Sequence, residues 1–459
     1  MMKWLLAFRL LPPALAWSSC LAIATAAGPL GAQPPARTQA PGEKTPPVPV
    51  EHWHPQRLPE KPTVAPSFTV PILPLGFTTP GALYFGQRYS LASLDFLDEN
   101  RLLFTFRVPG LIHRDHQPAE ADPADDEHRI RAVVIALPAG NVTAEAMWTQ
   151  HDRGRYLWML RDGHFLVRDR NAIRLGDASL ELKPYLEFPG RVMWVELDPA
   201  QQYLVTDSFE PKAEPKAGEV PRPATASATV TTHDADPPGK PAASQSGMVV
   251  RILERSSGRV MLVSRVRSAV HLPIKSDGYL EAIRGRGAEW QLTLNSFTGG
   301  ETTLGEVEST CSPAYDFISE RVMLATTCAR GGEHRLVAVA TNGRRLWEEP
   351  AGEEPVWPLI SIAADGSRLV RESLVVNHSV NAMAPVGPYD VKGQLVEVFD
   401  AATGNVALAA SATPVLDAGG NAAISPSGRR VAVVNDGVIQ VFDLPVPPAI
   451  PDLASQARR

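Results

Sequence analysis

The densest group of side chains that could bind a metal lies in a polar segment near residues 113 to 128. Its candidate ligands are His113, Asp115, His116 and His128, because imidazole and carboxylate groups are the usual protein ligands of divalent cations. The segment has neither the His-Glu-x-x-His spacing of zinc proteases nor the regular Asp/Asn pattern of a calcium loop. Two interpretations therefore stay open: a metal site, and a solvated acidic insertion of the kind that polar loops often form.

Motifs for covalent catalysis or nucleotide binding are missing from the sequence. There is no Gly-x-Ser-x-Gly elbow and no Walker loop, which are the local signatures of a nucleophilic serine and of a phosphate cradle. Aspartates recur near predicted turns, where a short carboxylate accepts bonds from backbone N–H groups. We interpret them as turn caps, with the alternative that one or two of them line a channel mouth: Asp152, Asp198, Asp277, Asp316 and Asp365. No catalytic residue, cofactor-binding residue or cofactor is predicted.

Cys311 and Cys328 are the two cysteines that follow the N-terminal segment. In an oxidising compartment two cysteines on neighbouring strands can form a stabilising disulfide. They would lie opposite each other if the hairpin between them turns near Ser319, whereas a turn at Pro313-Ala314 would place them out of register. The sequence leaves both registers open, and we predict a possible disulfide.

Composition narrows the classes of protein. The 459 residues carry a net charge of −6, without the basic face that a nucleic-acid partner requires. The first 26 residues have a basic start, an apolar middle and an Ala-x-Ala exit, the layout of a signal peptide; the alternatives are an uncleaved anchor and a lipid-modified Cys20. No later apolar run is long enough to cross a bilayer. We expect a secreted or periplasmic protein without a transmembrane segment in the mature chain.

Proline-rich stretches divide the remaining chain. We predict a disordered leader at 27–66, a globular region at 67–445 with a disordered insertion at 210–246, and a tail at 446–459. Within the globular region two turn signals alternate between β-rich runs. One is a turn ahead of a β-rich run, as in Ser425-Pro-Ser-Gly, and the other is a glycine-centred hairpin, as in Ala402-Thr-Gly. Such units of about 40 residues predict four-stranded sheets repeated around an axis.

The predicted fold is therefore all-β: a single β-propeller of about seven four-stranded blades. The last unit supplies three strands before Pro445. A strand from Ser67 to Phe77, or one from Ala82 to Tyr89, is expected to pair with it and close the ring, since closure removes open sheet edges.

These motifs resemble those of secreted bacterial propellers with WD40-like or TolB-like repeats. The likeness rests on Ser425-Pro-Ser-Gly-Arg, Ala364-Asp-Gly-Ser-Arg and Asp400-Ala-Ala-Thr-Gly-Asn, and covers residues 67 to 445. Thr341-Asn-Gly-Arg-Arg-Leu-Trp347 is similar to one blade of the quinoprotein type. The resemblance implies architecture and says little about function.

The leading functional hypothesis is a non-catalytic binding or scaffolding propeller. Its expected partner is a protein or envelope component rather than a nucleic acid, and a monomer is expected. The alternative is a metal-assisted hydrolase or lactonase-like enzyme with carboxylates around its channel, and a third reading is a quinoprotein-like oxidoreductase. Inward-facing Asp, Glu and His side chains within metal-ligand distance would favour the enzyme.

Overall fold

A computed structural model describes the greater part of the chain. The described residues are 57–77, 91–108, 113–114, 126–151, 154–210, 247–266, 271–330, 333–352, 358–376, 391–416 and 420–449. Asp115, His116 and Asp152 lie outside these ranges, as do the predicted signal peptide and most of the predicted leader, insertion and tail.

Seven antiparallel sheets follow one another along the chain and form the blades of a ring. Blade 1 contains β2 (Ser93–Asp98), β3 (Arg101–Arg107), β4 (His113–Arg114), β5 (Asp126–Ala136) and β6 (Asn141–Gln150). Blade 2 contains β7 (Leu157–Met159), β8 (Phe165–Asp169), β9 (Ala172–Gly176) and β10 (Lys183–Glu187). Blade 3 contains β11 (Arg191–Leu197), β12 (Tyr203–Phe209), β13 (Met248–Glu254) and β14 (Val260–Val266).

The later blades repeat the same up-and-down order. Blade 4 contains β15 (Ile274–Lys275), β16 (Gly278–Arg284), β17 (Glu289–Ser296) and β18 (Glu301–Glu308), and blade 5 contains β19 (Ala314–Ser319), β20 (Val322–Cys328), β21 (His334–Ala340) and β22 (Arg345–Gly352). Blade 6 contains β23 (Leu359–Ile362), β24 (Arg368–Val376), β25 (Val391–Asp400) and β26 (Val406–Ala412). Blade 7 contains β27 (Ala422–Ile424), β28 (Arg430–Asn435), β29 (Val438–Asp443) and, from the N-terminal part of the chain, β1 (Phe68–Pro71). The prediction of an all-β propeller with seven blades is confirmed.

The ring closes through its N-terminal strand. β1 pairs antiparallel with β29, with Phe68 opposite Val441 and Pro71 opposite Val438. It is the outermost strand of blade 7, which suits Pro71 because proline cannot donate a ladder hydrogen bond. The first of the two predicted closing segments is therefore the correct one. Upstream of β1, the N–H of Thr63 donates to the carbonyl of Ala409 on β26 at 3.0 Å.

Apolar side chains pack between neighbouring blades all the way round. In the described part of the chain, seven buried clusters each join two successive blades. The cluster containing Phe104 and Val441 joins blades 1 and 7, so burial of apolar surface closes the ring together with the β1–β29 ladder. Trp347 packs between blades 5 and 6, where its indole N–H donates to the carbonyl of Ala401 at 2.8 Å.

Glycine hairpins join the third and fourth strands as the sequence indicates, the turn predicted near Asp152 lies elsewhere, and the turn left open in blade 5 is the one near Ser319. In blade 2 the first hairpin turns at Asp162-Gly163, and the segment around Gly154 instead leads into the blade. In blade 5 Ser312-Pro313 precedes β19, and the turn lies at Glu320-Arg321. One 3-10 turn, Leu73–Leu75, is the helical element of the described residues. None of their helices is long and apolar enough to span a bilayer.

Candidate ligand site in the central channel

The first strands of the seven blades surround the axis of the ring, and alternate residues on them face the central channel. On β11, Val195 is buried in the apolar core, whereas Trp194 is exposed and Glu196 is partly buried. On β19, Tyr315 and Phe317 pack in the core between blades 4 and 5, which turns Asp316 to the channel. Asp95 has the equivalent place on β2, between the core residues Leu94 and Phe96.

Ionisable side chains from six successive blades meet around this channel. In blade order they are Asp95, Arg155, Glu196, His271, Asp316 and Glu372. Acidic and basic groups alternate through blades 1 to 5, and blade 6 adds a second consecutive acid. Four carboxyl groups thus face two basic groups, which leaves an excess of acidic side chains.

The histidine cluster, Glu196, His271 and Asp316, occupies blades 3 to 5. The His271 Nδ1 atom lies 3.0 Å from Glu196 Oε2, and its Nε2 atom lies 3.7 Å from Asp316 Oδ1. Nε2–H donates to the backbone carbonyl of Tyr315 at 2.5 Å. One ligand atom from each of the three side chains lies within 4.8 Å of the others, and it is the only such group of metal-ligating residues in the described part of the chain.

Electrostatics in the histidine cluster favour a protonated imidazole. Desolvation would lower the pKa of His271, but the charges of Glu196 and Asp316 and the bonds to Glu196 and Tyr315 outweigh it and raise this pKa to about 10. Desolvation raises the pKa of Asp316 to about 6, with His271 opposing the shift and Glu196 adding to it. Both side chains are 36% exposed, so the cluster is enclosed by protein yet open to water.

The arginine cluster, Asp95, Arg155 and Glu372, occupies blades 6, 1 and 2. Desolvation lowers the pKa of Arg155, and Asp95, Asp316 and Glu372 oppose that shift. Desolvation also raises the pKa of Asp95 to about 7, against a 2.6 Å hydrogen bond from the Ser93 hydroxyl and the charge of Arg155. Because Asp316 interacts with both Arg155 and His271, the two clusters form one continuous network across the channel.

Glu372 reaches this network from the second strand of blade 6 and is only 2% exposed. Its Oε2 accepts a hydrogen bond from the Asn421 N–H of blade 7 at 2.6 Å, and desolvation raises its pKa to about 8. Gly420 has φ +92°, and a Cβ there would lie 2.3 Å from Glu372 Oε1. Glycine is required at this position both for the backbone angle and for the close approach of the carboxyl group.

Arg168 on β8 fixes the backbone around both clusters. Arg168 is only 4% exposed. Its guanidinium donates to the carbonyls of Arg155 at 3.0 Å and Val192 at 2.7 Å. Arg155 precedes β7, and Val192 lies on the strand that carries Glu196. A single buried side chain thus holds the loop of Arg155 against the first strand of blade 3.

The metal-ligand candidates from the sequence lie elsewhere. His113 stands opposite Glu127 in the β4–β5 pair, and His128 is a buried residue of β5, opposite Gln150. Asp115 and His116 are outside the described residues, so a metal site in this segment stays a prediction. Asp198 and Asp365 cap turns through bonds from the N–H groups of Tyr203 and Ser367.

Asp316 is where the turn-cap interpretation is wrong, because the residue lies on β19 and faces the channel. The sequence contains a pattern that indicates the channel position of Asp316. Asp95-Phe96 and Asp316-Phe317 stand at the same distance from their turns, with Asp95 opposite Leu103 and Asp316 opposite Leu324. His271 and Arg155 lie in connecting segments before β15 and β7, where no local pattern marks them.

Cys311 and Cys328 form a disulfide, with 5.5 Å between their Cα atoms. The hairpin between them turns at Glu320-Arg321, close to the register that permits bonding. A surface groove of 310 Å³ lies beside the disulfide. Three arginines and two glutamates line it, and they are paired with one another, as Arg335 and Glu348 are at 2.8 Å, which makes it a weaker candidate than the channel.

Comparisons with known proteins add little beyond the fold. No protein-family model matches the chain, and no curated protein matches it significantly. Among solved structures, a putative TolB from Agrobacterium tumefaciens is 13% identical, with a TM-score of 0.38 over 66% of this chain and 94% of that one. The β-propeller domain of the Trilobed protease from Pyrococcus furiosus is 12% identical, with a TM-score of 0.40 over 81% and 97%.

An acylaminoacyl peptidase from Pyrococcus horikoshii is 11% identical, with a TM-score of 0.36, and the match covers 69% of this chain and 50% of the peptidase. The chain therefore matches half the length of that enzyme. Similarities of this size carry no argument about activity.

Proposed function

We propose that this protein is a non-catalytic binding propeller acting outside the cytoplasm, and that its central channel receives a positively charged group of its ligand. The observation that carries the proposal is the convergence of four carboxyl groups on two basic groups in a water-accessible channel. An added positive charge would offset the excess of acidic groups, whose mutual repulsion and burial disfavour ionisation. The signal-like N-terminus and the cysteine pair support action in an oxidising compartment.

Apolar side chains beside the acids fit an organic cation. Trp194 is 38% exposed and lies two residues before Glu196, on the same face of β11. Leu359 on β23 is 45% exposed. An aromatic face near carboxylates suits a lysine or arginine side chain, because the ring attracts a cation while the carboxylates pair with it. A basic segment of a protein or envelope component is therefore the expected partner.

The test is fluorescence anisotropy with a labelled tetralysine peptide, using a tetraglutamate peptide as the opposite-charge probe. We expect tetralysine alone to bind, with affinity that falls as salt is added. Glu196→Gln should weaken binding severalfold. Glu308→Gln, the same change on an outer strand at a side chain 67% exposed, should leave it unchanged. Equal binding of both peptides, or equal effects of both variants, would refute the proposal.

The histidine cluster favours a second candidate, a metal-assisted hydrolase or lactonase. Its imidazole and two carboxylates could hold a cation that activates water. The test is hydrolysis of aryl esters and lactones by the zinc-loaded protein. Turnover that disappears in His271→Asn would support this candidate, and zinc binding without turnover would reject it.

A further inference from the structure

We propose that the histidine cluster also binds a divalent transition-metal cation, through Glu196, His271 and Asp316. This inference goes beyond the proposed function: it adds a metal site in the same channel and does not replace the basic group expected from the partner. One ligand atom from each residue already lies within 4.8 Å of the others. Atoms that surround one ion at about 2.0–2.2 Å must be separated by about 3–4 Å, so small side-chain rotations bring the three ligands to coordination distance.

The hydrogen bonding of His271 supports this assignment. Its Nε2–H donates to the backbone carbonyl of Tyr315, and its Nδ1 atom faces Glu196. Metal-binding histidines commonly donate their second ring N–H to a carbonyl, which fixes the tautomer and directs the other nitrogen at the ion. A carbonyl acceptor on Nε2 leaves Nδ1, on the Glu196 side, as the coordinating atom. Asp316 lies 3.7 Å from Nε2, so its carboxylate must turn toward the Nδ1 side to complete the site.

The choice of ligands selects the class of metal. Calcium and magnesium prefer oxygen ligands throughout, whereas an imidazole with two carboxylates suits zinc and neighbouring transition metals. Three protein ligands from three blades leave further coordination positions for water or for a ligand group. Since His271 and Asp316 are each 36% exposed, an ion can enter from solvent without unfolding a blade.

Arg155 is a positive charge of the same network that would oppose a cation. It lies in the other half of the network, where Asp95 and Glu372 offset it. The metal site and the arginine therefore share only Asp316. This separation predicts that the histidine cluster binds metal while the arginine cluster stays intact.

The test is zinc titration of the chelator-stripped full chain by calorimetry, with metal content measured after gel filtration and calcium as the comparison cation. We expect one channel zinc per chain and no competing effect of calcium. Glu196→Gln, His271→Asn and Asp316→Asn should each weaken this zinc by at least about tenfold. Glu196→Asp should retain part of the affinity, and Glu308→Gln should match the unchanged protein.

Other histidines, including His52, His54 and His113, could bind zinc elsewhere. Zinc binding that persists equally in all three channel variants would overturn the inference, as would its absence from the unchanged protein. Glu196→Gln and Asp316→Asn preserve side-chain shape, so they remain informative if His271→Asn does not fold. If zinc fails to bind while tetralysine binds through Glu196, the metal inference falls and the proposed function stands; failure of both probes removes both.

Discussion

The two halves of the channel network use similar carboxyl groups around different bases. In the histidine cluster the base is an imidazole, which can lose its proton and then bind a metal. In the arginine cluster the base is a guanidinium, which stays charged and offers no lone pair to a metal. We call the histidine cluster the exchangeable half of the network, because its proton can be replaced by a metal, and the arginine cluster the fixed half, because its charge is permanent. We therefore expect ligand binding in blades 3 to 5 and a structural role for Arg155 beside the acids of blades 1 and 6.

Removal of the fixed charge should have the largest effect. Arg155→Met removes the cation whose charge acts on Asp95 and Glu372, and we expect the free energy of unfolding to fall by about 3 kcal/mol at pH 8.5, the lower end for an uncompensated buried charge. The loss should shrink at pH 5.5, because Asp95 and Glu372, with pKa values of about 7 and about 8, are then already protonated and Arg155 faces neutral groups. Denaturant titration at both pH values measures this. Arg101→Met is the control, since its ion pair with Asp98 is 41% exposed on both sides and should contribute about 0–1 kcal/mol.

Glu372 should govern part of the pH dependence of stability. Its pKa is raised from 4.5 to about 8 in the folded protein, so between these values the folded state holds a proton that the unfolded state has lost. The stability contribution is complete below pH 4.5 and disappears as the pH rises through 8. Glu372→Gln should remove a slope of up to about 1.4 kcal/mol per pH unit from this range.

Thermal or denaturant unfolding from pH 4.5 to 8.5 measures that slope. Glu308→Gln provides the exposed control and should leave the slope unchanged. Identical slopes in Glu372→Gln and the unchanged protein would show that Glu372 does not remain protonated in the fixed half.

The disulfide offers a stability change away from the channel network. Cys311 and Cys328 are separated by 17 positions, and a crosslink over a loop of this length stabilises by about 2–3 kcal/mol through the unfolded state. Reduction should lower the free energy of unfolding by that amount. The double variant Cys311→Ser/Cys328→Ser should be insensitive to reductant and, because it adds no thiol ligands, should bind zinc and tetralysine as the unchanged protein does. A change in the zinc affinity of this double variant would contradict the assignment of the metal to the channel.

Trp194 should produce the smallest effect. If its ring contacts a bound ammonium group, Trp194→Ala should weaken tetralysine binding by about 0.5–1 kcal/mol, the usual size of an exposed cation–π contact. Trp194→Phe should retain most of the affinity, and zinc binding should be unchanged in both variants. Peptide anisotropy and calorimetry on the same samples would separate the aromatic contribution from the histidine cluster.

Local patterns predicted the fold because each blade is built from hairpins of nearby residues. Turn glycines, alternating strands and the missing fourth strand near Pro445 led to seven blades and to closure by the segment containing Phe68, as the structure shows. The channel network was harder to predict. Arg155 and Asp316 are far apart in the sequence and meet only because blades 2 and 5 face each other across the ring.

The density of potential ligands along the sequence favours a metal site at His113, Asp115, His116 and His128. A high density of potential ligands along the sequence identifies side chains of one loop. A site in the channel instead combines single residues from several blades. The repeated Asp-Phe pair at Asp95 and Asp316 contained the relevant information, but its meaning depends on which strand is innermost. That assignment needs the three-dimensional order of the sheets.

Closure of blade 7 places the two ends of the propeller side by side. The N–H of Ser67 donates to the carbonyl of Val441 at 2.8 Å, and the N–H of Asp443 donates to the Ser67 hydroxyl at 3.1 Å. A short peptide linking these ends should therefore permit circular permutation, with new termini opened between any two other blades. In such a molecule blade 7 would be built from one continuous segment of chain. The new termini, placed between two other blades, could then be attached to a surface or to a fusion partner at whichever blade junction is chosen.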